Sequence, residues 1–345
     1  MAVRTTLVRA WASPPLSRHV LLRAATLKSK SCRYSTSSAT SSQNLLSVED
    51  CLQLYKEKED DGIVFVDASW YHKGGRNGRD EFEAGPRIPG ARHMDMDDIS
   101  TSKDLYPDRN PLGLYHMLPP TDLFAATMDE FQIKNSDRII VYAKEGSIFT
   151  PRTWFLFRSM GHDSVQLMQG SLEDWVQAGG PVDKEPTRVP RAKDILESLS
   201  SSGKTSYQVA KNKPDNVIGM DEMLTIVNDN LQEEQQTTII DPRGSSFAKG
   251  YIPGAIHLPY SSLVQEDNPL KLKSKEELET LFQDAGVDVQ GDTPIACSCG
   301  SGVSVCHVYL ALQECGRTGK TVMFDGSWNE WSQSPDSPKV VPKND

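Results

Sequence analysis

The sequence predicts an α/β protein with two similar domains, each a mostly parallel sheet flanked by helices. Its 345 residues match the length of two ordinary domains. Short apolar segments alternate along the chain with longer helical segments, as they do in β-α-β folds. Several blocks of sequence also occur twice, at separations that fit one duplicated domain.

The internal repeat is visible in three pairs of segments. These pairs are residues 63–67 with 238–241, residues 88–91 with 252–255, and residues 170–175 with 326–331. The second pair shares the tetrapeptide Ile-Pro-Gly-Ala, and the third shares the motif Gly-Ser-x-x-x-Trp. Similar spacing of different motifs indicates a duplication of the whole domain and not a chance match.

The predicted strands follow from short apolar runs at equivalent places in the two copies. They lie at residues 63–67, 139–142 and 165–167, and at residues 238–241, 294–296 and 321–324. Residues 185–216 are rich in Ser, Lys and Pro and lack periodicity, so they predict a linker. We therefore expect a first domain at 48–184, a linker at 185–218 and a second domain at 219–345.

The N-terminal segment has the composition of a mitochondrial transit peptide. Its first 48 residues contain no Asp or Glu but seven Arg and Lys residues, together with many Ser, Ala and Leu residues. We expect residues 1–43 to form this peptide and the protein to reside in the mitochondrion. A disordered basic tail is the alternative interpretation.

The net charge of the chain limits its possible partners, and its cysteines indicate the redox state of the thiols. The chain has 37 basic and 47 acidic residues, so removal of the seven N-terminal charges leaves 30 against 47, a net charge of −17. Such a surface disfavours nucleic acid, and no apolar run is long enough to cross a membrane. The six cysteines are expected to be free thiols in a reducing compartment.

The segment from residue 294 to residue 307 carries the candidate nucleophile. It places Cys299 between a short apolar strand and the apolar segment 303–312, which is long enough for a core helix. Gly300 and Gly302 permit backbone conformations closed to other residues, so successive N–H groups can point at one centre. This arrangement favours negative charge, and we expect Cys299 to be held as the nucleophilic thiolate.

The two copies differ at this loop. In the first copy the corresponding segment, residues 143–150, reads Ala-Lys-Glu-Gly-Ser-Ile-Phe-Thr and contains no cysteine. We therefore expect the second domain to perform the chemistry. The first domain would supply a wall and side chains for a cleft between the domains.

These motifs together resemble the tandem-domain rhodanese-type sulfurtransferases. The resemblance begins at the V-D-A-S-W-Y segment 66–71, continues through residues 95–97 and 116–119, and ends at residues 326–331. It covers the chain from about residue 48 to residue 332. Within the family, the loop C-G-S-G-V-S at 299–304 is most similar to the mercaptopyruvate sulfurtransferase type. The thiosulfate-preferring type carries basic residues after the cysteine.

The resemblance implies a reaction and a set of site residues. Sulfane sulfur moves from 3-mercaptopyruvate or thiosulfate to a thiol or cyanide, through a persulfide on Cys299. Ser301, Asp97 and His116 are implicated in proton transfer. The loop residues expected to contact the sulfur donor are Gly300, Gly302, Val303 and Ser304.

The sequence departs from the family where arginines bind the substrate carboxylate. Ser246 occupies the position of the second expected arginine, and a Pro-rich acidic insertion that carries another is absent. Arg243 and Lys249 are candidate substitutes, although Arg243 is also a candidate structural ion-pair partner. An alternative function follows, because a persulfide relay from a cysteine desulfurase to a tRNA-thiolation or other protein partner does not need this contact.

Two other kinds of site fit the residues less well. A cysteine phosphatase needs an arginine six residues after its cysteine, where this chain has Val305. A metal site could draw on five ligand-type side chains, but their spacing lacks paired C-x2-C motifs. Those side chains are Cys297, Cys299, Cys306, His307 and Cys315. Cys297 is either a resolving thiol or a cysteine of the strand core.

The expected partners are small molecules and thiols. The resemblance implies a small anionic sulfur donor and a thiol acceptor such as thioredoxin or glutathione, with a cysteine desulfurase as a further possible donor. We expect no cofactor and no metal.

Overall fold

The computed structural model describes residues 44–57, 62–72, 75–209, 215–233 and 235–342, and within them the chain forms two five-stranded sheets. The strands of the first sheet are β1 Leu45–Ser47, β2 Ile63–Asp67, β3 Arg92–His93, β4 Arg138–Ala143 and β5 Val165–Ser171. The strands of the second sheet are β6 Val217–Ile218, β7 Thr238–Asp241, β8 Ala255–His257, β9 Ile295–Cys297 and β10 Thr321–Phe324.

The two sheets have the same topology. Their strand orders are β1-β5-β4-β2-β3 and β6-β10-β9-β7-β8, and neighbouring strands in both are parallel. The predicted α/β fold with two repeated, parallel-sheet domains is confirmed. All six predicted strands are present. The four strands that the sequence did not reveal, β1, β3, β6 and β8, have two or three residues each and lie at the sheet edges, where so short a run carries no periodicity.

Helices cover both faces of the first sheet. Alternate residues of β4 point to opposite faces, so Ile139 packs in one apolar cluster and Ile140 in another. The described helices are α1 Val48–Lys56, α2 Gly78–Ala84, α3 Thr121–Glu130, α4 Thr150–Ser159, α5 Leu172–Gln177, α6 Ala192–Ser202, α7 Met220–Gln232, α8 Lys275–Asp284, α9 Val305–Glu314 and α10 Ser327–Trp331. Two 3-10 helices, Ser245–Lys249 and Tyr260–Ser262, follow strands β7 and β8.

The segment predicted as a linker contains helix α6. Ala192 and Ile195 are 0% and 3% exposed, and α6 packs against α3 of the first domain. Their spacing places both on one helix face, together with the partly buried Leu196 and Leu199. The serines of this helix lie at residues 198 and 200–202, outside that spacing, so the apolar pattern was present in the sequence beside a Ser-rich composition that indicates a linker.

The two domains share one apolar core. Helix α4 of the first domain packs against α9 of the second, and the rings of Phe155 and Tyr309 meet edge to face with centroids 4.9 Å apart. Phe155 is fully buried in the same cluster as Val308 and Leu312 of α9. Because α4 and α9 each follow the loop after the fourth strand of their sheets, this packing brings the two loops together.

The predicted transit peptide at residues 1–43 lies outside the described residues. Among the helices that the structure describes, none is long and apolar enough to cross a bilayer.

Candidate active site

The loop that carries Cys299 joins β9 to α9 at the carboxyl end of the second sheet. Trp328 and Asn329, at the start of α10, donate backbone hydrogen bonds of 3.0 Å to the carbonyl oxygens of Cys299 and Gly300. Gly302 has a φ of +75°, and a Cβ there would lie 3.0 Å from the carbonyl oxygen of Asp325. The tight turn therefore requires a glycine at this position.

Cys299 lies at the floor of a cavity between the domains. Its side chain is 1% exposed and contacts the apolar core, yet it also lines a cavity of about 310 Å³. The residues that line this cavity are Trp70, His72, His116, Phe149, Arg243, Gly244, Ser246, Tyr260, Cys299, Gly300, Ser301, Val303, Ser304 and Asn329. Both domains contribute, so a small molecule bound here is enclosed by the domain interface.

The loop presents unpaired backbone donors near Cys299. The N–H of Cys299 donates to Ser327 Oγ at 3.1 Å, whereas no acceptor among the described residues takes up the N–H groups of residues 300–304. Ser327 Oγ lies 4.0 Å from Cys299 Sγ and donates to the carbonyl oxygen of Phe324 at 2.8 Å. Free amides beside a cysteine suit the binding of a negatively charged sulfur.

A chain of hydrogen bonds reaches the loop from the first domain. His116 Nδ1 lies 3.0 Å from Ser301 Oγ, and His116 Nε2 lies 2.9 Å from Asp97 Oδ1. Trp70 Nε1 donates to the other carboxylate oxygen of Asp97 at 2.7 Å. A carboxylate only accepts hydrogen bonds, so it favours the tautomer with hydrogen on Nε2 and leaves Nδ1 to accept from the Ser301 hydroxyl. The three residues predicted for proton transfer thus meet in one line.

The hydrogen bonds that Asp97 accepts favour the ionised form of its carboxyl group. Burial alone raises the pKa of Asp97, but the hydrogen bonds from His116 and Trp70 outweigh burial and hold that pKa below its ordinary value. The side chain of Asp97 remains 58% exposed, so water screens part of this effect. The carboxylate therefore stays charged and orients the imidazole at neutral pH.

The guanidinium of Arg243 is committed to structural bonds. Its Nε donates to both carboxylate oxygens of Asp241 at 3.0 and 2.9 Å, and its Nη2 donates to Asp241 Oδ2 at 2.7 Å and to the carbonyl oxygen of Gly250 at 2.8 Å. The side chains of this pair are 6% and 1% exposed. The arrangement matches the ion-pair role that was the alternative for Arg243.

The other residues predicted to contact the sulfur donor differ in whether they line the cavity. Lys249 is exposed at the end of the 3-10 helix Ser245–Lys249 and is not among the described residues that line the cavity, whereas Ser246 is. Gly302 also lies outside the lining, while Gly300, Val303 and Ser304 belong to it. Among the lining residues that the structure describes, Arg243 is the one with a permanent positive charge, and Asp241 neutralises it.

The cysteines near Cys299 are core residues. Cys297 ends strand β9, is fully buried and belongs to the apolar cluster, and burial raises its thiol pKa far above the ordinary value. Burial likewise raises the pKa of Cys306 to about 12. Cys297 is thus a strand-core cysteine and is poorly suited to act as a resolving thiol. In the described part of the chain, no three His, Cys, Asp or Glu side chains come close enough to hold a metal ion.

Several residues of this region were not predicted from the sequence, and four of them contribute side-chain hydrogen bonds to it. Trp70 lay within a quoted motif, but its bond to Asp97 depends on the fold. Arg152, Asp325 and Ser327 are buried polar residues whose contacts with the loop or with the segment around His116 join distant parts of the chain. The Gly-Ser-x-x-x-Trp repeat was the only signal that could have drawn attention to Ser327.

Comparison with known proteins agrees with this architecture. The profile of the Rhodanese-like domain family matches residues 50–178 and 224–334. The thiosulfate sulfurtransferase of Cricetulus griseus is 31% identical over 283 residues, which cover 81% of this chain and 88% of the relative. The mitochondrial thiosulfate/3-mercaptopyruvate sulfurtransferase 1 of Arabidopsis thaliana is 30% identical over 322 residues, which cover 88% of this chain and 80% of that protein.

A solved structure supports the same assignment. The crystal structure of SseA from Escherichia coli, described as a 3-mercaptopyruvate sulfotransferase with the rhodanese fold, superposes with a TM-score of 0.65 at 27% identity. It covers 82% of this chain and 98% of its own. The chain therefore belongs to the rhodanese-like family and is a tandem-domain rhodanese-type sulfurtransferase.

Proposed function

We propose that Cys299 carries sulfane sulfur as a persulfide, taken from 3-mercaptopyruvate or thiosulfate and passed to a thiol or to cyanide. One observation carries this proposal: Cys299 and Ser301 line a cavity into which the first domain directs His116, hydrogen-bonded to Ser301 and oriented by Asp97. A nucleophile and a proton relay thus face the same small space.

The first half-reaction with mercaptopyruvate forms one bond and breaks one. The Cys299 thiolate attacks the donor sulfur, the S–S bond forms, and the carbon–sulfur bond breaks with its electron pair left on carbon. The proton lost from the donor thiol reaches that carbon through Ser301 and His116, so that the enolate leaves as pyruvate. With thiosulfate the leaving group is sulfite, which needs no proton on carbon.

The persulfide is stabilised by the loop. Its outer sulfur bears negative charge, and the N–H groups of residues 300–304, which have no acceptor among the described residues, are available as donors. Preorganised backbone donors in a water-poor cavity stabilise such charge far better than exposed ones. In the second half-reaction an acceptor thiolate attacks the outer sulfur and leaves as a persulfide, or cyanide leaves as thiocyanate, and the Cys299 thiolate returns.

Intact-mass spectrometry tests this proposal. After exposure to mercaptopyruvate or to thiosulfate, the protein should gain the mass of one sulfur atom, and peptide mapping should locate it on Cys299. Cys297→Ala is the matched control, because it removes a thiol two residues away and should retain the added sulfur. No added sulfur with either donor, or sulfur mapped to another cysteine, would refute the assignment.

A second candidate function is a persulfide relay from a cysteine desulfurase to a protein partner. It is favoured by the arrangement of cations among the described residues, since Arg243 is paired with Asp241 and Lys249 lies apart from the cavity. A protein persulfide needs no contact to a carboxylate or sulfonate. Rapid sulfur uptake from a purified cysteine desulfurase supplied with cysteine, combined with slow uptake from both small donors, would favour the relay. The opposite pattern would favour the small-molecule enzyme.

We also propose that residues 1–43 direct the protein to the mitochondrion. The support is their basic, acid-free composition and a relative that is named as mitochondrial. A fluorescent protein fused behind residues 1–43 should enter mitochondria, and the chain begun at residue 44 should not. Mitochondrial entry of the shortened chain would count against the assignment.

A further inference from the structure

We propose that Arg152 is a positioning residue that sets the Ser301–His116 hydrogen bond by holding the main chain on both sides of it. The inference rests on the proposed function of that relay. It concerns a residue of the first domain that is not among the described residues lining the cavity.

The contacts of Arg152 reach both partners of that hydrogen bond. Its side chain is 4% exposed and lies in helix α4. Nη1 donates to the carbonyl oxygen of Gly302 at 3.0 Å, and Nη2 donates to the carbonyl oxygen of His116. One planar guanidinium thus ties the residue after Ser301 to the residue whose imidazole contacts Ser301.

Asp325 of the second domain contacts both Arg152 and the segment that follows His116. Its Oδ1 lies 3.5 Å from Arg152 Nη2, and its Oδ2 accepts the N–H of Leu118 at 2.9 Å. Burial raises the pKa of Asp325, while the charge of Arg152 acts in the opposite direction. Asp325 therefore balances the buried cation and fixes the segment after His116 from its other end.

One of the main-chain positions that Arg152 contacts has a conformation that needs external support. His116 has a φ of +60°, which is unfavourable for a residue with a side chain. Gly302 has a φ of +75°, which a glycine adopts without strain. Strained conformations persist where surrounding contacts over-determine them. Loss of the Arg152 contacts would let the segment around His116 relax and separate its imidazole from Ser301.

A lysine side chain cannot replace this arrangement. The guanidinium presents donors in a rigid fork, whereas an ammonium group is a compact charge on a flexible stem. The Arg152→Lys variant would keep the charge beside Asp325, yet it would not hold both carbonyl oxygens in the fixed relative geometry of the fork. This substitution therefore separates the positioning role from the charge.

The first test compares two sulfur donors. The rate of persulfide formation from mercaptopyruvate should fall about 10- to 100-fold in Arg152→Lys, since a misaligned proton relay loses part of its contribution. The rate from thiosulfate should change little, because sulfite leaves without a proton on carbon. Arg158→Lys, on the same helix and 28% exposed, is the matched control and should behave as the unchanged protein. Equal losses with both donors would mean that Arg152 only supports the fold.

The second test observes the imidazole directly and needs no turnover. In nitrogen-15 spectra of the histidine side chains, His116 should show the fixed tautomer with hydrogen on Nε2, and Arg152→Lys should convert it to an exchanging mixture. His116→Gln assigns the signal. An unchanged His116 signal in Arg152→Lys would overturn the inference, even if activity falls.

A further variant covers the case in which Arg152→Lys does not fold. Asp325→Asn keeps the shape of the side chain and removes the charge partner of Arg152, so it should disturb the same His116 signal to a smaller extent. An undisturbed signal in a folded Asp325→Asn would also count against the inference. Failure of the proposed function has a different signature: the unchanged protein would then gain no sulfur on Cys299 from either donor.

Discussion

The loops after the fourth strands of the two sheets have the same topological position but differ in how far their backbone donors are paired. In the first domain, the N–H groups of Lys144, Glu145 and Ser147 donate to Ser69 Oγ, Glu173 Oε2 and the Lys144 carbonyl oxygen. In the second domain, the N–H groups of residues 300–304 find no acceptor among the described residues. The second loop therefore offers five successive N–H groups that can bind negative charge, whereas the first loop uses the N–H of Ser147 to close its own turn.

The cationic side chain of the first loop, Lys144, also has a hydrogen-bond partner within its own domain. Lys144 is buried, and its Nζ donates to the carbonyl oxygen of Glu81 at 2.7 Å. Near the end of this loop, Phe149 extends to the other domain, where its ring lies 6.0 Å from that of Tyr260, and it also lies 5.4 Å from the ring of Trp70. Under the proposed function, the duplication thus provides one loop that carries the nucleophile and one that forms a wall of the cavity.

The test with the largest expected effect makes one alanine substitution in each loop. Cys299→Ala should abolish persulfide formation, because it removes the proposed nucleophile. Ser147→Ala, which removes the acceptor of the 3.0 Å bond from the Trp70 N–H, should keep sulfur uptake and lose about 1 kcal/mol of stability. Mass spectrometry and denaturant unfolding measure the two effects. Sulfur uptake by Cys299→Ala would contradict the division of labour.

The next largest effect concerns His116, a side chain of the first domain that contacts Ser301 of the second domain. His116→Ala should slow persulfide formation from mercaptopyruvate by about 10²-fold or more, as expected for loss of a general acid–base group. Asp97→Asn should act in the same direction more weakly, because the imidazole remains while its orientation is lost. Rapid-quench measurements with each donor would show this. Equal rates for His116→Ala and the unchanged protein would mean that the second domain works alone.

The two domains also differ in how they pair the aspartate that ends their second strand. Asp241 binds Arg243 through several hydrogen bonds, while Asp67 has a contact of 3.2 Å to His93 Nδ1 and a bond from the N–H of Ser69. Arg243→Met should therefore cost about 3–5 kcal/mol of unfolding free energy, since it leaves a buried carboxylate without its cation. His93→Phe should cost less. Denaturant unfolding at neutral pH compares them, and a larger loss for His93→Phe would reverse this ranking.

The last prediction links the two loops through pH. His307 Nε2 lies 2.8 Å from the carbonyl oxygen of Ile148 in the first loop, and burial lowers the pKa of His307 to about 4. The unfolded chain takes up this proton near pH 6.5, so stability falls as pH drops from about 6.5 toward 4, by up to about 3 kcal/mol.

The variant His307→Gln checks that prediction. Glutamine can still donate to the Ile148 carbonyl oxygen but does not titrate, so its unfolding free energy should decline less between about pH 7 and about pH 5 than that of the unchanged protein. Parallel pH profiles for the two proteins would show that His307 is not the group responsible.

Much of the fold and part of the site could be predicted from the sequence, for physical reasons that particular residues illustrate. Central strands such as β4 are long enough for apolar residues to stand out, whereas edge strand β3 has two residues and shows no pattern. Helix α6 was missed because the Ser-rich composition of its segment indicates a linker, although its apolar residues have helical spacing. Cys299 with its flanking glycines was recognisable, since a nucleophile before a helix needs those residue types next to one another.

The sequence by itself determined the duplicated parallel-sheet architecture and the cysteine loop, because each is written in neighbouring positions, whereas Ser301, Asp97 and His116 were predicted from the family resemblance. Only the tertiary structure decided that Arg243 is bound to Asp241, that Lys249 stands apart from the cavity, and that Arg152 joins Gly302 to His116. Gly302 and Arg152 are 150 positions apart in the chain. Such contacts arise when the apolar faces of α4 and α9 pack together, and no local pattern encodes the register in which they do so.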